Sequence, residues 1–398
     1  MDSNGQEFSG WTRTVLGTII VPFTEKVFGD HNYEVLTSSR NGIQRQSEHF
    51  AGKQRHDTDG YNIIPRGYCT YRNRSDDGLF TFNMNNIVDE GIVSKFYPVF
   101  TFQNANSTFM IEYLNGSPRV RAKLSVLAVG TSQVVLSFET LKETSFYLPT
   151  FEEQNRIAAL LSTLNERIEK QRLLIEHLKK YKRGVITSIL KQKIRFNAGV
   201  EKYPEWSTIR LDELGFFFGG LSGKTKEDFE HGDSKFITYL NVFRNTFASE
   251  EGVTLVDVKP NEKQNAIQYG DILFTQSSET VEEVGMSSVW IHQSTPYLNS
   301  FCMALRPYSL ENINPRYIGY VLRSEQVRLQ IMKEGQGISR INLASSRIGG
   351  VTLPMPCLEE QNSIVKFMDG IEATEDFHSQ LLLQMQLLKA SLLQKLFI

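Results

Sequence analysis

The chain has 398 residues, 40% of them hydrophobic and 22% charged, with a formal net charge of -2, which describes a globular protein too long for one ordinary core and therefore built of two or more domains. No stretch has the uninterrupted apolar length of a membrane span, and the opening MDSNGQEFSGW lacks the basic start and apolar run of a secretory signal, so a cytoplasmic location with no membrane partner is expected. Cys69, Cys302 and Cys357 lie far apart with no CxxC pair, and the seven histidines form no HExxH pattern, so neither a disulfide framework nor a thiolate metal site is suggested and zinc hydrolysis has no support.

Residues 1–148 read as a first domain. Gly10-Trp11 stands ahead of Leu16-Gly17, and short strands and turns prevail over long helices; the Val and Leu content of Ser125 to Val135 predicts a strand there. Between residues 40 and 74, Arg40, Arg45, Lys53, Arg55, Arg66, Arg72 and Arg74 outnumber Glu48, Asp57 and Asp59, with Tyr61, Tyr68 and Tyr71 interleaved. Despite the acidic total, this local excess is the best phosphate-contacting candidate in the chain, the other reading being a solvated loop.

At Pro149 the pattern changes to a helix, expected over 149–196. Thr150 followed by Glu153 makes a capping-box pattern. Apolar spacing then alternates four and three along Ile157, Leu161, Leu164, Ile168, Gln171, Ile175, Leu178, Lys182, Val185 and Ile189, a coiled-coil seam with two polar members. The basic run Lys179, Lys180, Lys182, Arg183, Lys191, Lys193 and Arg195 has two readings: contacts to phosphates, or cations complementing the helix C-terminal dipole, with Lys182 snorkelling outward.

Residues 197–353 read as a second domain of nearly equal size. Pro204-Glu205-Trp206 precedes Leu214-Gly215, a strand is expected over Asp271 to Thr275 after Gly270, and the interior does not align visibly with that of the first domain. Residues 354–398 form the second long helix. Pro356-Cys357-Leu358-Glu359-Glu360-Gln361-Asn362 repeats Pro149-Thr150-Phe151-Glu152-Glu153-Gln154-Asn155 at an offset of 207 residues. The same offset places Ile364, Met368, Ile371, Glu375, His378, Leu382, Met385, Lys389, Leu392 and Leu396 on an equivalent seam. Residues 149–196 hold 11 basic and 5 acidic side chains against 3 and 6 in 354–398; this complementarity favours pairing with each other, antiparallel, over self-pairing. At roughly 1.5 Å per residue such helices reach on the order of 65 Å. The expected fold is α+β, with two globular domains separated by two long helices paired as an antiparallel coiled coil.

This layout resembles the specificity subunits of type I restriction-modification systems over essentially the whole chain. The likeness lies in the repeated proline, Glu-Glu-Gln and long-helix pattern, in Tyr203-Pro204-Glu205-Trp206, Gly42-Ile43 with Gln46, Gly91-Ile92-Val93-Ser94 and Gly270-Asp271-Ile272-Leu273-Phe274-Thr275. The resemblance implies two target recognition domains that each read half of an asymmetric, bipartite site in double-stranded DNA, with the helices as spacer. It implies a non-catalytic chain that holds two adenine-N6 methyltransferase subunits and recruits ATP-dependent restriction subunits. S-adenosylmethionine, ATP and magnesium would then belong to those partners, with no cofactor, metal or catalytic residue in this chain. The resemblance does not assign the reading residues. Because Arg and Lys pair with guanine edges and Asn and Gln with adenine, the candidates are Arg40, Gln44, Arg45, Arg72 and Arg74 in the first domain and Lys224, Lys226, Arg244, Gln276, Arg340 and Asn342 in the second.

Two signals point to enzymes instead. Gly219-Gly220-Leu221-Ser222-Gly223-Lys224-Thr225 is similar to a phosphate-binding loop, but Phe218 occupies the required first glycine and no clean strand precedes it. Asn314-Pro315-Arg316-Tyr317 is similar to the tetrad of adenine methyltransferases, with Arg316 in place of the second proline. The competing readings are therefore a self-contained DNA methyltransferase or nuclease with degenerate motifs, and a coiled-coil assembly protein with no DNA role.

Overall fold

The computed structural model describes residues 10–49, 57–198 and 201–397. Its contacts group into two compact units, Met1–Leu173 with Gln380–Ile398, and Leu174–Ser379.

In the first unit an antiparallel sheet runs in the order Ile20–Phe23, Val99–Phe102, Cys69–Tyr71, Phe82–Met84. Its aromatic face closes on helix Ser107–Gly116, giving a core with Tyr71, Phe82, Phe100, Phe109 and Met110 fully buried. A second sheet, Gly42–Arg45, Glu34–Ser39, Glu90–Val93, Asn62–Pro65, packs around Leu36, Ile64 and Val93. Ser125 to Val135 is not the expected strand. Ser117 caps and Pro118 opens helix Pro118–Leu127, because proline at the first turn loses no hydrogen bond there; the strand within this stretch is Val134–Val135, paired with Arg74–Ser75.

The second unit repeats this plan where the sequences did not align. Its sheet runs Gly215–Gly219, Cys302–Pro307, Ile272–Thr275, Ser287–Val289, again antiparallel. Two helices follow, Pro315–Leu322 and Glu325–Lys333, and Ser277–Ser278 pairs with Ile341–Asn342. Opening and closing strands pair alike in both units, Thr12–Val15 with Ser145–Leu148 and Ser207–Arg210 with Thr352–Met355.

The repeated Glu-Glu-Gln-Asn motif is a latch. Buried Gln154 donates from Nε2 to the Pro149 carbonyl at 3.0 Å and accepts the Asn106 amide at 3.0 Å, while Asn155 accepts Asn106 Nδ2 at 2.8 Å. Asn106 in turn caps helix Ser107–Gly116. In the second unit Gln361 donates to the Pro356 carbonyl at 2.9 Å and accepts the Asn314 amide at 2.8 Å, and Asn362 accepts Asn314 Nδ2 at 2.7 Å. Each long helix is thus fastened at its start to the cap of a domain helix, with every buried amide group satisfied.

The long helices span Phe151–Leu190 and Leu358–Leu396. Thr150 accepts the Glu153 amide at 3.3 Å, as the capping pattern predicts. All the seam positions named above are buried or partly buried. The helices run antiparallel within each unit: in the first, Ile157 and Leu161 share a core with Leu393, Leu396 and Phe397; in the second, Lys182 meets Glu372 and Glu375 while Arg195 meets Glu360. Lys182 does not snorkel outward, since its ammonium lies 3.1 Å from Glu372. Lys389, a polar seam member of the second helix, pairs with Glu112 at 3.2 Å.

Candidate nucleic-acid interface

In the first unit the structure converges three of the five candidates. Arg40, Arg72 and Arg74 line one cleft of about 90 Å³ with Ser38, Ser75 and Asp76. Arg40 reaches it from the turn after Glu34–Ser39, Arg72 and Arg74 from the segment after Cys69–Tyr71. Arg40 is held by Asp77 at 2.6 Å. That guanidinium, helped by the Ser75 hydroxyl and the Leu79 amide, lowers the Asp77 carboxyl to about 2. Arg74 lies over the Phe96 ring at 5.3 Å. Gln44 and Arg45 sit instead on strand Gly42–Arg45, Gln44 accepting from the Ser39 hydroxyl and Arg45 paired with Glu34. Lys53 and Arg55 of the basic segment lie outside the described residues. Tyr71 is core, its hydroxyl donating to the Leu136 carbonyl at 3.0 Å.

In the second unit the candidates divide. Gln276 and Asn342 flank the short ladder: Gln276 immediately precedes Ser277–Ser278, and Asn342 pairs with Ser277. Arg340 lines a cleft of about 360 Å³ beside them, together with Tyr239, Phe243 and Ser277. Arg244 is exposed at the end of helix Tyr239–Arg244, from which Tyr239, Leu240 and Phe243 line this cleft. Lys226 is exposed in a separate turn. Lys224 is a correction. Its side chain is only 4% exposed and its ammonium lies 2.6 Å from Glu262, so its charge is satisfied inside the fold; the hydrogen bond to Glu262 also raises its pKa. The basic run on the central helix divides. Lys179, Lys182 and Arg195 pair with Glu375, Glu372 and Glu360, leaving Lys180, Arg183, Lys191 and Lys193 exposed.

Both enzyme-like motifs prove structural. A strand, Gly215–Gly219, does precede the glycine-rich loop, contrary to expectation, but only the three-residue turn Lys226–Asp228 follows, so there is no helix N-terminus to cradle phosphate. Asn314 caps helix Pro315–Leu322, Arg316 pairs with Asp369 at 2.8 Å, and the Tyr317 hydroxyl donates to the Pro354 carbonyl at 2.7 Å. Among the described residues no group of three or more His, Cys, Asp or Glu side chains is placed to hold a metal ion, and no helix is long and apolar enough to cross a membrane.

The two units share one topology, and comparison with known proteins gives their family. The family model described as type I restriction modification DNA specificity domain matches residues 29–177 and again 203–386. The chain belongs to this family. The two matches of the specificity domain fall one on each half of the duplicated sequence. A curated relative, the type I restriction enzyme MjaVIII specificity subunit of Methanocaldococcus jannaschii, is 23% identical over 242 residues, 59% of this chain and 56% of the relative; the match thus spans about half the relative's length. The crystal structure of the type I restriction-modification system S subunit from M. genitalium matches with a TM-score of 0.57 at 16% identity over 98% of this chain and 96% of that one. A chain from a structure concerned with complex assembly and conformational transition of the type I R-M system gives 0.59 at 18% identity over 98% of both. At these identities the likeness is one of fold.

Sequence reasoning missed the partners of the candidates: Asp77, Glu34 and Glu262 lie 37, 11 and 38 residues away from the cations they hold. It also missed the loop residue Gln133, whose Nε2 donates to Asp76 at 2.8 Å beside the first cleft. The 207-residue offset carries a signal for it, because it aligns Gly130, Ser132 and Gln133 with Gly337, Ser339 and Arg340.

Proposed function

We propose that the chain is the non-catalytic DNA-sequence-specificity subunit of a type I restriction-modification complex, each unit reading one half of an asymmetric, bipartite site in double-stranded DNA. The observation that carries this is the duplication. One strand order and one helix latch occur twice in a chain matched twice by the specificity-domain model, while the side chains around the equivalent short ladders differ. Two readers of unlike chemistry call for two unlike half-sites. Arg40, Arg72, Arg74, Arg244, Gln276, Arg340 and Asn342 supply the contacts nearest the two clefts, with Gln44, Arg45 and Lys226 as further candidates outside them.

Methyl transfer, with its S-adenosylmethionine, falls to two adenine-N6 methyltransferase subunits, and ATP- and magnesium-dependent translocation and cleavage to restriction subunits. Exposed Phe367, Phe377, Leu383, Leu387 and Leu388 on the second long helix favour partner subunits that cover it. The complex would act in the cytoplasm, where the host DNA is. Single-molecule sequencing of the host genome, with and without this chain, tests the proposal. A bipartite, asymmetric adenine-methylated motif should disappear with the chain; a palindromic motif, or methylation by the purified chain alone, would overturn it.

A further inference from the structure

Each unit carries the same short ladder at the same place in its topology, Arg74–Ser75 with Val134–Val135 and Ser277–Ser278 with Ile341–Asn342. Each is entered through a loop of one length, closed by a backbone pair between Val129 and Val135 or between Gln336 and Asn342. Gly130 and Gly337 open the loops at φ +149 and +136, and a Cβ at either would collide with the carbonyl oxygen of Gln133 or Arg340. Only glycine makes this turn. The exposed tips are therefore Thr131-Ser132-Gln133 in one unit and Ile338-Ser339-Arg340 in the other.

Both clefts lie against these ladders. Ser75 and Asp76 line the first, Ser278 and Glu279 the second, and each acidic residue directly follows its ladder strand. Gln133 bonds Asp76 beside the first cleft, and Arg340, its counterpart in the loop, lines the second. One site occurs twice, with different side chains.

The chemistry of the two copies differs. In the first, Arg72 donates no hydrogen bond and forms no ion pair among the described residues, so its fork is available, with that of Arg74, to an acceptor-rich edge such as guanine O6 and N7. In the second, Arg340 shares the cleft with Glu279 and Glu283, and none of the three is ion-paired among the described residues. Two carboxylates repel phosphate, which disfavours a backbone contact there. A guanidinium beside carboxylates matches a single G·C pair, the arginine on guanine O6 and N7 and a carboxylate accepting from cytosine N4.

We propose that these two clefts are the base-reading sites of the two units, the first taking guanine through Arg72 and Arg74 and the second taking a G·C pair through Arg340 with Glu279 or Glu283; this rests on the DNA-reading role proposed above. The test uses the full chain assembled with its methyltransferase subunits, and duplexes in which each position of the recognised site is varied, across a salt series. Arg340→Ala and the Glu279→Gln, Glu283→Gln pair should each cut discrimination at the same G·C position of one half-site, roughly 10- to 100-fold for the arginine, and leave the other half-site unchanged. Arg72→Ala should relax a guanine position in the other half-site. Arg340→Lys keeps the charge and loses the fork, so it should relax specificity with the salt dependence unchanged. Uniform weakening on all sequences by Arg340→Ala, with a salt slope reduced by about one, would make this a phosphate contact and overturn the assignment, as would an unaltered motif in variants that still assemble. A wild-type complex that prefers no sequence would overturn the reader role itself.

Discussion

Gln361 has no exposed surface, and both ends of its amide are used, on the Asn314 amide and the Pro356 and Asn312 carbonyls. Truncation strands these groups without water, so Gln361→Ala should cost about 1–3 kcal/mol in denaturant unfolding, and Gln154→Ala a similar amount. Surface pairing has a different signature. Asp77 has its carboxyl lowered to about 2 by Arg40, below the ordinary value of about 3.9. A depressed carboxylate stabilises the fold above its unfolded pKa and loses that contribution as pH falls through the folded one. The Arg40–Asp77 pair should therefore persist through the neutral range and break only near pH 2. NMR titration of Asp77 should give a midpoint near 2, moving up toward about 3.9 in Arg40→Ala.

At the scale of elements, the long helices owe their position to period and cap. The 4-3 spacing buries Leu161 completely while its neighbour Leu160 is 49% exposed. Leu161→Ala should cost about 2–5 kcal/mol and Leu160→Ala within about 0.5, a contrast between adjacent residues that unfolding curves resolve directly. Equal effects would mean the seam register is wrong. The helices were legible because period and capping are local. The strand expected over Ser125 to Val135 failed for the converse reason: its Val and Leu content is shared by helix and strand, and the Ser117-Pro118 start that decides for a helix lies upstream of it.

For the whole molecule, the net charge of -2 says little about DNA, since the relevant quantity is which cations remain unpaired at a surface. The apolar side chains left exposed along the second long helix predict that the chain expressed alone will aggregate, and that co-expression with the proposed methyltransferase subunits will keep it in solution. Size-exclusion chromatography checks this, and a monodisperse monomer at high concentration would contradict it.

The sequence by itself determined the duplication, both long helices, their antiparallel pairing and the family, because repeats, heptad spacing and caps are written in residues close together along the chain. The tertiary structure decided that the two dissimilar interiors share one strand order, since pairs such as Thr12 with Leu148 join residues from opposite ends of a unit. It also decided which cations are available. Lys182 finds its carboxylate 190 residues away and Lys224 finds Glu262, whereas Arg72 and Arg74 converge with Arg40 on a cleft. A charge in a sequence becomes a binding group only when the fold leaves it exposed rather than buried against a partner, and distance along the chain does not reveal that partner.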